Sequence, residues 1–387
     1  MADGSSSPLT AQTVGSLADI GKTTWNRIVQ GDGNAPYCPF TAYDFLHSLE
    51  TSGSVRAEVG WAPQHLVLSR DDDIVGVMPL YLKGHSQGEY IFDHGWADAY
   101  TRAGGRYYPK LLGAVPFTPA TGRRLFTAPG EDISALASAA AQVTEELGVS
   151  SLHINFCTPV EQAALAKSGY LIRTGQQYRF EDDGYGTWAG FLDALASRKR
   201  KALRKERESI AQTGLSIDWL SGDDITEAHL DQFWRFYQDT GSRKWGTPYL
   251  TRTFFSQIRE RMADKLLFIM ARRGERYIAG ALNLIGGNTL YGRYWGCTEH
   301  IPFLHFEICY YQAIDYALAH GLKYVEAGAQ GEHKIARGYR PMTTYSAHWL
   351  PNPSFREAVA RFLEAEREQV DADIDYLSGF TPFKKEG

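Results

Sequence analysis

Short apolar runs alternate with amphipathic stretches along most of this chain. Two strand-like runs, WAPQHLVLS and DIVGVMPLYLKG, are separated by the acidic turn Asp71–Asp73, and this pattern predicts a hairpin. Apolar residues at helical spacing predict helices over 15–29, 41–51, 132–147 and 159–168. A third strand is predicted around GEYIFDHGW, and a Tyr- and Gly-rich helical region over 97–113. The alternation predicts a mixed α/β (α+β) fold, with central sheets flanked by helices.

The second half of the chain repeats the order of elements in the first half. The run LLFIMARRGERYIAGALNLIGG predicts another hairpin, in which IAGALNL stands where the first half has IVGVMPL. A third strand, a helix and a buried strand then follow in both halves. We therefore expect a disordered tail over 1–13 and two domains, 14–185 and 186–387. The second domain has a basic helical prefix at 188–264 and an amphipathic C-terminal helix at 355–377.

Charge changes this picture only locally. The 387 residues carry a net charge of −5 with a pI near 6.1, which argues against a whole-protein preference for nucleic acid or acidic membranes. Between Arg198 and Glu208, however, seven Lys and Arg residues stand against two Glu residues. This segment is either a solvated helix face or a patch that holds tRNA phosphates or an anionic head group.

The cysteines and the apolar run lengths indicate the compartment. Four cysteines are widely spaced, with no CxxC pair, and the first dozen residues are small and polar. No apolar run approaches the roughly 18 residues of a membrane helix. These features predict a reduced, cytoplasmic protein without a membrane span, and they do not indicate its oligomeric state.

Reactive side chains are densest between Thr289 and Pro341, which is predicted to form a strand, a helix, a second strand and a polar loop. In the first strand the period-2 rule places Gly292 and Gly296 on one face, where they leave room for a close approach. The opposite face then carries Tyr291, Arg293, Trp295 and Cys297. The second strand and its loop carry Glu326, Gln330, Glu332, His333, Lys334 and Arg337. The alternative interpretation is a well-packed core with a polar rim.

Several long strings resemble the FemAB-like predicted N-acyltransferases, a branch of the GNAT superfamily with two tandem GNAT-type domains. In the first half they are PLYLKGHSQGEYIFDHGWADAY and YYPKLLGAVPFTPATGRRL; in the second they are SRKRKALRKER, LYGRYWG, LHFEICYYQAIDYA and GAQGEHKIARGYRP. The resemblance covers nearly the whole chain. It implies transfer of an acyl or aminoacyl group to a small-molecule or peptide amine.

The sequence departs from the acetyl-CoA-binding GNAT pattern at one turn. GNAT enzymes that use acetyl-CoA share an R/Q-x-x-G-x-G/A turn that binds the pyrophosphate, whereas this chain has GCTEHIPFLHFE there. Coenzyme A is therefore not expected to bind in the usual manner. The resemblance leaves two donors, acyl-CoA and aminoacyl-tRNA, of which the second would contact Arg198–Arg207, and no further cofactor is required.

Acyl transfer to an amine needs a route for the amine proton and donors aimed at the developing oxyanion. The candidate catalytic residues are Glu326, Glu332, His333 and Lys334. The candidate donor- and substrate-binding residues are Tyr291, Arg293, Trp295, Glu307, Gln330 and Arg337. Alternatives remain for two of them, since Glu326 fits a salt bridge at the sheet edge and Glu307 fits a favourable charge near a helix start.

Three classes of function follow from these residues. The first is an N-acyltransferase or aminoacyltransferase whose active centre lies in the second domain. The second is a binding protein that keeps a transferase fold without its chemistry. The third is a metal hydrolase, suggested by the H-x-E of His305 and Glu307, but the chain has no HExxH motif and no metal site is predicted.

Overall fold

A computed structural model describes residues 7–31, 33, 35–244, 248–328 and 331–384, without the side chains of 240–244. The chain forms two compact units. The first unit comprises Phe40–Gly175 and Thr344–Gln369, with the described residues before Pro36. The second comprises Pro36–Pro39, Gln176–Thr343 and the described residues from Val370 onward. The predicted boundary between 14–185 and 186–387 stays a prediction.

The strands of the described residues are β1 (Leu9–Val14), β2 (Trp61–Pro63), β3 (His65–Arg70), β4 (Asp73–Met78), β5 (Leu80–Lys83), β6 (Lys110–Gly113), β7 (Phe126–Thr127), β8 (Leu152–Cys157), β9 (Leu171–Glu181), β10 (Ser216–Leu220), β11 (Leu266–Arg273), β12 (Arg276–Ile285), β13 (Thr289–Cys297), β14 (Tyr324–Glu326) and β15 (Arg340–Trp349). Strands and helices alternate along both units. The predicted mixed α/β class is confirmed.

The α-helices of the described residues are α1 (Lys22–Gln30), α2 (Tyr43–Thr51), α3 (His94–Arg102), α4 (Ile133–Glu146), α5 (Pro159–Lys167), α6 (Trp188–Ala194), α7 (Ser197–Ala211), α8 (Glu227–Lys244), α9 (Arg252–Met262), α10 (Leu304–Phe306), α11 (Gln312–Ala319) and α12 (Pro353–Ser378). A π-helix, Glu307–Tyr311, joins α10 to α11. A 3-10 helix covers Glu332–Arg337. The 3-10 helix is wound more tightly than an α-helix and the π-helix more loosely. Both lie between Thr289 and Pro341, where the reactive side chains are densest.

Three local predictions for the first unit are wrong. Residues 9–13 belong to β1 rather than to a disordered tail, because Leu9–Val14 pairs antiparallel with His65–Arg70 along its whole length. Residues 1–6 of that predicted tail lie outside the described residues. The region 97–113 is not one helix, since α3 ends at Arg102 and Pro109, which cannot continue a helix, precedes the strand β6. No strand forms around GEYIFDHGW within the described residues.

The first unit contains one sheet with a polar buried face. Strands β2, β5, β6, β8 and the last residues of β15 lie side by side, with β6 and β8 parallel and the other neighbours antiparallel. One face packs its leucines and Ile154 on α4. Cross-strand register places Lys83, Lys110 and His153 on the opposite face. Two lysines on a buried face need anionic partners.

Those partners come from the segment before α3. The Lys110 ammonium donates to a Glu89 carboxylate oxygen at 2.8 Å and to Asp93. The Lys83 amine lies 3.6 Å above the Trp61 ring and 3.8 Å from the other Glu89 oxygen. Burial lowers the pKa of Lys83 to about 7, and burial raises the pKa of Glu89 to about 7. Burial acts to lower the pKa of Lys110, but Glu89 and Asp93 outweigh it and raise that pKa, so Lys110 stays protonated near neutral pH opposite an ionised Asp93.

The second unit contains the sheet that positions the candidate site. Its strands follow the order β10, β11, β12, β13, β14 and then the end of β9. Only β13 and β14 are parallel neighbours in this described set. Helix α8 packs on one face, where Phe236 meets Gly280 and Gly296. The helical stretch from α10 to α11 packs on the other face, through Leu304, Ile308 and Ile314 among others.

Candidate active site

The strands β13 and β14 separate after three paired positions, of which the last joins Tyr291 to Glu326. Strand β14 ends at Glu326, and Gly328 takes a left-handed conformation at φ 81°. Strand β13 instead continues to Cys297 alongside β12. Within the described residues the two strands form no further pairs, so they leave a groove between them. Parallel strands that diverge expose strand backbone to a ligand.

A bulge in β13 changes which side chains share a face of the sheet. Leu282 lies opposite Tyr294 but Asn283 lies opposite Gly292, so Arg293 is an extra residue in the strand. Side chains on either side of such an insertion exchange faces. The prediction that Tyr291, Arg293, Trp295 and Cys297 share one face is therefore wrong. Tyr291 lies with Tyr294 on the α8 face, whereas Trp295 and Cys297 face the core beneath α10 and α11.

The two glycines of β13 consequently lie on opposite faces. A Cβ at Gly296 would sit 2.1 Å from the Phe236 carbonyl oxygen, so this glycine lets the backbone of α8 approach the sheet. A Cβ at Gly292 would lie 3.3 Å from the Glu326 carbonyl oxygen, at the point where the groove opens. The predicted close approach exists at both positions. At Gly296 its partner is a helix of the same chain.

Glu326 is the last residue of β14 and stands between two guanidinium groups. Arg179 on β9 lies directly opposite it, and Arg293 acts on it from the bulge of β13. Burial raises the pKa of Glu326 to about 7, and the two arginines act in the opposite direction. A carboxylate with a pKa near neutrality is matched to general-base catalysis. This position of Glu326 is compatible with both interpretations, a salt bridge at the sheet edge and a catalytic base.

Lys334 reaches the same strand end from the 3-10 helix. Its side chain is 1% exposed, and its amine donates to the Gly328 carbonyl oxygen at 2.8 Å. The amine lies 5.7 Å from the centre of the Tyr178 ring. Burial lowers the pKa of Lys334 to about 8, and the Cys309 thiol acts in the opposite direction. The structure thus places the Lys334 amine at Gly328, two residues beyond Glu326, while cross-strand register puts the Glu326 side chain beside Arg179, on the sheet face opposite Tyr178.

The neighbours of Lys334 are more exposed. His333 contacts the Tyr310 hydroxyl through Nε2 at 2.9 Å, and its ring lies 5.5 Å from that of Phe306. Burial, followed by the nearby charges of Arg337 and Lys334, lowers the pKa of His333. The Glu332 side chain is exposed. Catalytic roles for Glu332 and His333 stay predictions, and Gln330 lies outside the described residues.

Trp295 contributes an aromatic wall beside these groups. Its ring lies 5.2 Å from His305, and His305 in turn lies 5.3 Å from Tyr310. Phe303, which precedes this helical stretch, has φ 68° and is 40% exposed. A bulky residue at positive φ occupies the turn where acetyl-CoA-binding GNAT enzymes have glycine. The turn therefore has a residue in the left-handed conformation, but that residue is Phe303 and not a glycine.

Glu307 and Arg337 are held in ion pairs with adjacent residues of helix α7. The two Glu307 oxygens accept from Arg207 at 2.9 and 3.2 Å. Arg337 donates to both oxygens of Glu206, at 3.0 and 2.9 Å. Glu307 is 3% exposed and Arg337 is 6% exposed. Both predicted binding residues thus fasten helix α7 to the site in this structure.

Sequence reasoning missed these two anchors inside the basic segment. Leu203 and Ile210 are the buried apolar residues of α7, and Glu206 and Arg207 lie three and four positions from each of them. Residues at those spacings share one helix face. The periodicity of the sequence therefore marks Glu206 and Arg207 as inward-facing, although the local charge count concealed it.

The remaining cations of α7 form its outer face. Arg200 pairs with Asp193 at 2.9 Å. No carboxylate within the described ranges lies at ion-pair distance from the five exposed cations Arg198, Lys199, Lys201, Arg204 and Lys205. An exposed cationic face of this density attracts polyanions.

Parallel strands that diverge as β13 and β14 do are a feature of the GNAT-like fold. The chain belongs to the FemAB-like family, described as peptidoglycan biosynthesis/recognition, whose model matches residues 16–385. This match confirms the predicted family and the transferase class. No curated protein matches the chain at a significant level.

Solved structures share its fold at low sequence identity. FemX is 12% identical with a TM-score of 0.50, over 82% of this chain and 94% of FemX. L-PGS from Bacillus licheniformis is 10% identical with a TM-score of 0.50, over 82% of this chain and 95% of L-PGS. A conserved protein of unknown function from Bacteroides thetaiotaomicron is 11% identical with a TM-score of 0.52, over 88% and 99%. The predicted tandem GNAT-like fold is confirmed.

In the part of the chain that the structure describes, no helix combines the length and the apolar character needed to cross a membrane.

Proposed function

We propose that the second unit transfers an aminoacyl group from an aminoacyl-tRNA to an amine, with the acyl carbonyl bound in the groove between β13 and β14. The observation that carries the proposal is the divergence of β13 and β14 after the Tyr291–Glu326 pair, where Glu326 ends β14 and the Lys334 amine contacts Gly328 two residues further along. Both groups are buried enough to shift their pKa values toward neutrality, to about 7 and about 8. Such shifts are frequent at catalytic centres.

Glu326 acts as the general base. The acceptor amine attacks the acyl carbonyl carbon, a new C–N bond forms, and the amine proton passes to the Glu326 carboxylate. The C–O bond to the ribose then breaks, and the leaving oxygen takes up a proton. With a pKa near 7, Glu326 is ionised in a useful fraction of molecules and is still able to give its proton back.

Lys334 stabilises the oxyanion that develops on the acyl carbonyl. With a pKa of about 8, its amine is mostly protonated at pH 7, and its contact with the Gly328 carbonyl directs it to the strand end. A cation placed in a water-poor site stabilises negative charge more strongly than the same cation in water. Tyr291, Arg293 and Trp295 of β13 stay the predicted binding residues.

Two features favour aminoacyl-tRNA over acyl-CoA as the donor. The turn at Phe303 lacks the glycines of the pyrophosphate-binding loop, and a large exposed ring stands there. Helix α7 presents five exposed cations beside the ion pairs that join it to the site. Phosphates of a tRNA acceptor stem match such a face. Acyl-CoA is the second candidate donor.

The acceptor is a small-molecule or peptide amine. The family description names peptidoglycan biosynthesis and recognition, and this supports an amine on a cell-wall precursor peptide. Both candidate donors are made in the cytoplasm, and we infer that the protein acts there. No cofactor is required, because the donor is already activated and Glu326 and Lys334 supply the proton transfer and charge stabilisation.

Transfer assays with the purified chain test this proposal. Bulk tRNA charged with individual radiolabelled amino acids, and acetyl-CoA in parallel, would be incubated with a synthetic lysine-containing peptide. We expect transfer from one or more aminoacyl-tRNAs, and loss of transfer in Glu326→Gln and Lys334→Met. Saturable transfer from acetyl-CoA alone would overturn the donor assignment. Tight donor binding without transfer by the wild-type chain would instead identify a binding protein.

The contact between the exposed cations of helix α7 and tRNA is tested separately, through the salt dependence of tRNA binding. The double variant Lys201→Glu/Lys205→Glu should bind uncharged bulk tRNA more weakly, with a salt slope reduced by about 0.7–0.9 for each lost phosphate contact. Arg102→Glu/Arg106→Glu, which changes two exposed cations of the first unit, is the matched control. Equal tRNA binding by both double variants, or binding of anionic vesicles in place of tRNA, would remove α7 from the tRNA contact.

A further inference from the structure

We propose that Glu206 of helix α7 is a positioning residue, which holds the segment Glu332–Arg337 in place through Arg337 and so sets the position of Lys334. The consequence for catalysis rests on the proposed function. The positioning itself does not, because it concerns only contacts within this chain.

Glu206 contacts two parts of the site. Its two oxygens accept both Nη2 contacts of Arg337, at 3.0 and 2.9 Å, and one of them also accepts the Tyr311 hydroxyl. The Glu206 side chain is 18% exposed and that of Arg337 is 7% exposed. Charge-assisted hydrogen bonds in a partly buried setting are stronger than exposed ones. Glu206 thus ties the 3-10 helix and the π-helix to α7.

Arg337 passes this restraint to the backbone next to Lys334. Its Nη1 donates to the His333 carbonyl oxygen at 2.8 Å, and its guanidinium lies 3.5 Å over the Phe306 ring. The peptide that contains the His333 carbonyl also contains the Lys334 nitrogen. Fixing this carbonyl therefore fixes the direction in which the Lys334 side chain leaves the backbone.

The segment Glu332–Arg337 needs such a restraint because its internal hydrogen bonds stabilise it only weakly. It is a six-residue 3-10 helix, and 3-10 helices of this length have strained hydrogen bonds. Its first residue follows Gly331, which provides no side-chain cap, and Gly338 ends it at φ 90°. Short helices depend on tertiary contacts for their order. Within the described residues, the ion pair between Arg337 and Glu206 is the charged tertiary contact of this segment.

Lys334 is sensitive to a small displacement. Among the described residues its amine makes one hydrogen bond, to Gly328, and it has no carboxylate at ion-pair distance. A shift of about 1 Å at a reacting group can cost on the order of 10²-fold in rate. A residue that prevents such a shift affects chemistry without touching the substrate.

The first experiment measures position without measuring activity. Hydrogen exchange would be followed by mass spectrometry in Glu206→Ala, Glu206→Asp and wild type, in peptides covering 331–339. Glu208→Ala is the matched control, since it removes the same charge two residues along the same helix from an exposed position. We expect exchange in that peptide to accelerate about tenfold in Glu206→Ala, to recover in part in Glu206→Asp, and to stay at the wild-type rate in Glu208→Ala.

The second measurement follows Lys334 itself. Acetic anhydride labelling of Lys334, quantified by mass spectrometry from pH 6 to 11, reports both its accessibility and its pKa. Glu206→Ala should raise the plateau of labelling and move its midpoint upward, toward the ordinary lysine value. Wild-type labelling and exchange in Glu206→Ala would overturn the proposal, and general acceleration across the chain would show loss of folding in place of loss of position.

Kinetics complete the test where transfer is detected. A positioning role predicts a kcat reduced about 10–100-fold in Glu206→Ala, a donor KM changed less than twofold, and partial rescue by Glu206→Asp. A donor KM that rises while kcat is unchanged would assign Glu206 to donor binding and reject the proposal. If the wild-type chain transfers nothing, the proposed function fails, while exchange and labelling still decide the role of Glu206.

Discussion

Tyr291 and Glu326 are the last residues that β13 and β14 bring into register. Up to this pair the two strands make a parallel ladder, and after it they diverge. The pair therefore marks the closed end of the groove; Glu326 ends β14 there, and the Lys334 amine contacts Gly328 two residues further along. Predictions about the chemistry of the protein concern this point of the sheet.

Replacing Lys334 by Met should lower kcat by at least about 10²-fold, because the oxyanion loses its cation. Met is preferred to Ala because the Lys334 side chain is buried, and Met fills most of its volume. Thermal unfolding should show little loss of stability, since an amine without a carboxylate partner is replaced by an apolar group. Lys167→Met, at an exposed position of α5, is the control for activity and stability. Wild-type kcat in Lys334→Met would exclude this lysine from catalysis.

The pH dependence of kcat should be bell-shaped, with an optimum between the pKa values of about 7 for Glu326 and about 8 for Lys334. The base must be ionised, so activity rises with pH through the first value. The cation must be protonated, so activity falls through the second. Glu326→Gln should lose about 10²–10⁴-fold in kcat together with the acidic limb. An acidic limb that survives in Glu326→Gln would assign the base to another group, with His333 as the next candidate.

Glu326 should also make stability depend on pH. Its pKa in the folded protein, about 7, lies above the ordinary value, so between about pH 4.5 and 7 the folded state binds more protons than the unfolded state. Stability from this group is present below that window and is lost as the pH rises through it. Glu326→Gln should therefore unfold at a higher temperature than wild type at pH 8 but not at pH 4.5. Glu260→Gln, in exposed helix α9, should show no such crossover.

Gly296→Ala should destabilise the protein by about 2–4 kcal/mol, because its Cβ would meet the backbone of α8 at Phe236. Gly292→Ala is the matched comparison on the same strand. Its nearest neighbours are 3.3 Å away, so a loss of less than about 1 kcal/mol is expected. Chemical denaturation measures both. Equal stability of the two variants would contradict the close packing of α8 on β13.

The buried lysines of the first unit should respond oppositely to replacement by Met. Lys110→Met leaves Glu89 and Asp93 buried without their cation, and a loss of about 3–5 kcal/mol is expected. Lys83→Met should be neutral or stabilising at pH 7. The Lys83 pKa is lowered to about 7, so the unfolded state binds more protons up to about pH 10, and wild-type stability rises with pH in that window.

The advantage of Lys83→Met over wild type should accordingly shrink between pH 7 and pH 10. Urea unfolding at several pH values measures this difference for both variants. A strong loss of stability in Lys83→Met at pH 7, comparable to that of Lys110→Met, would show that Lys83 carries a charge in the folded protein.

Several features of the fold could be predicted from the sequence because they depend on local pattern. The hairpin of β11 and β12 follows from two apolar runs around Gly274, and the buried strand β8 follows from SLHINF. The site itself stays a prediction, although its two main candidates, Glu326 and Lys334, come from one short stretch of sequence.

Other features could not be predicted because they depend on distant partners. The bulge at Arg293 is visible only in the register between β12 and β13, so strict alternation misplaced Trp295. Strand β1 forms because β3 offers an edge, which the polar composition of the N-terminal segment does not reveal. The π-helix Glu307–Tyr311, in which Tyr310 and Tyr311 are both buried, is not marked by the helical pattern of the sequence. Ion pairs of Glu307 and Arg337 likewise depend on a helix about a hundred residues earlier.

The two faces of helix α7 have different roles. Its inner face contributes Glu206 and Arg207, whose charges cancel, and their ion pairs connect it to Arg337 and Glu307. Its outer face carries five exposed cations that form no ion pair within the described ranges. Substitutions on the outer face can therefore change which polyanion is attracted while the inner face keeps its geometry. Related chains could diverge in partner through this helix and still conserve the chemistry of the groove.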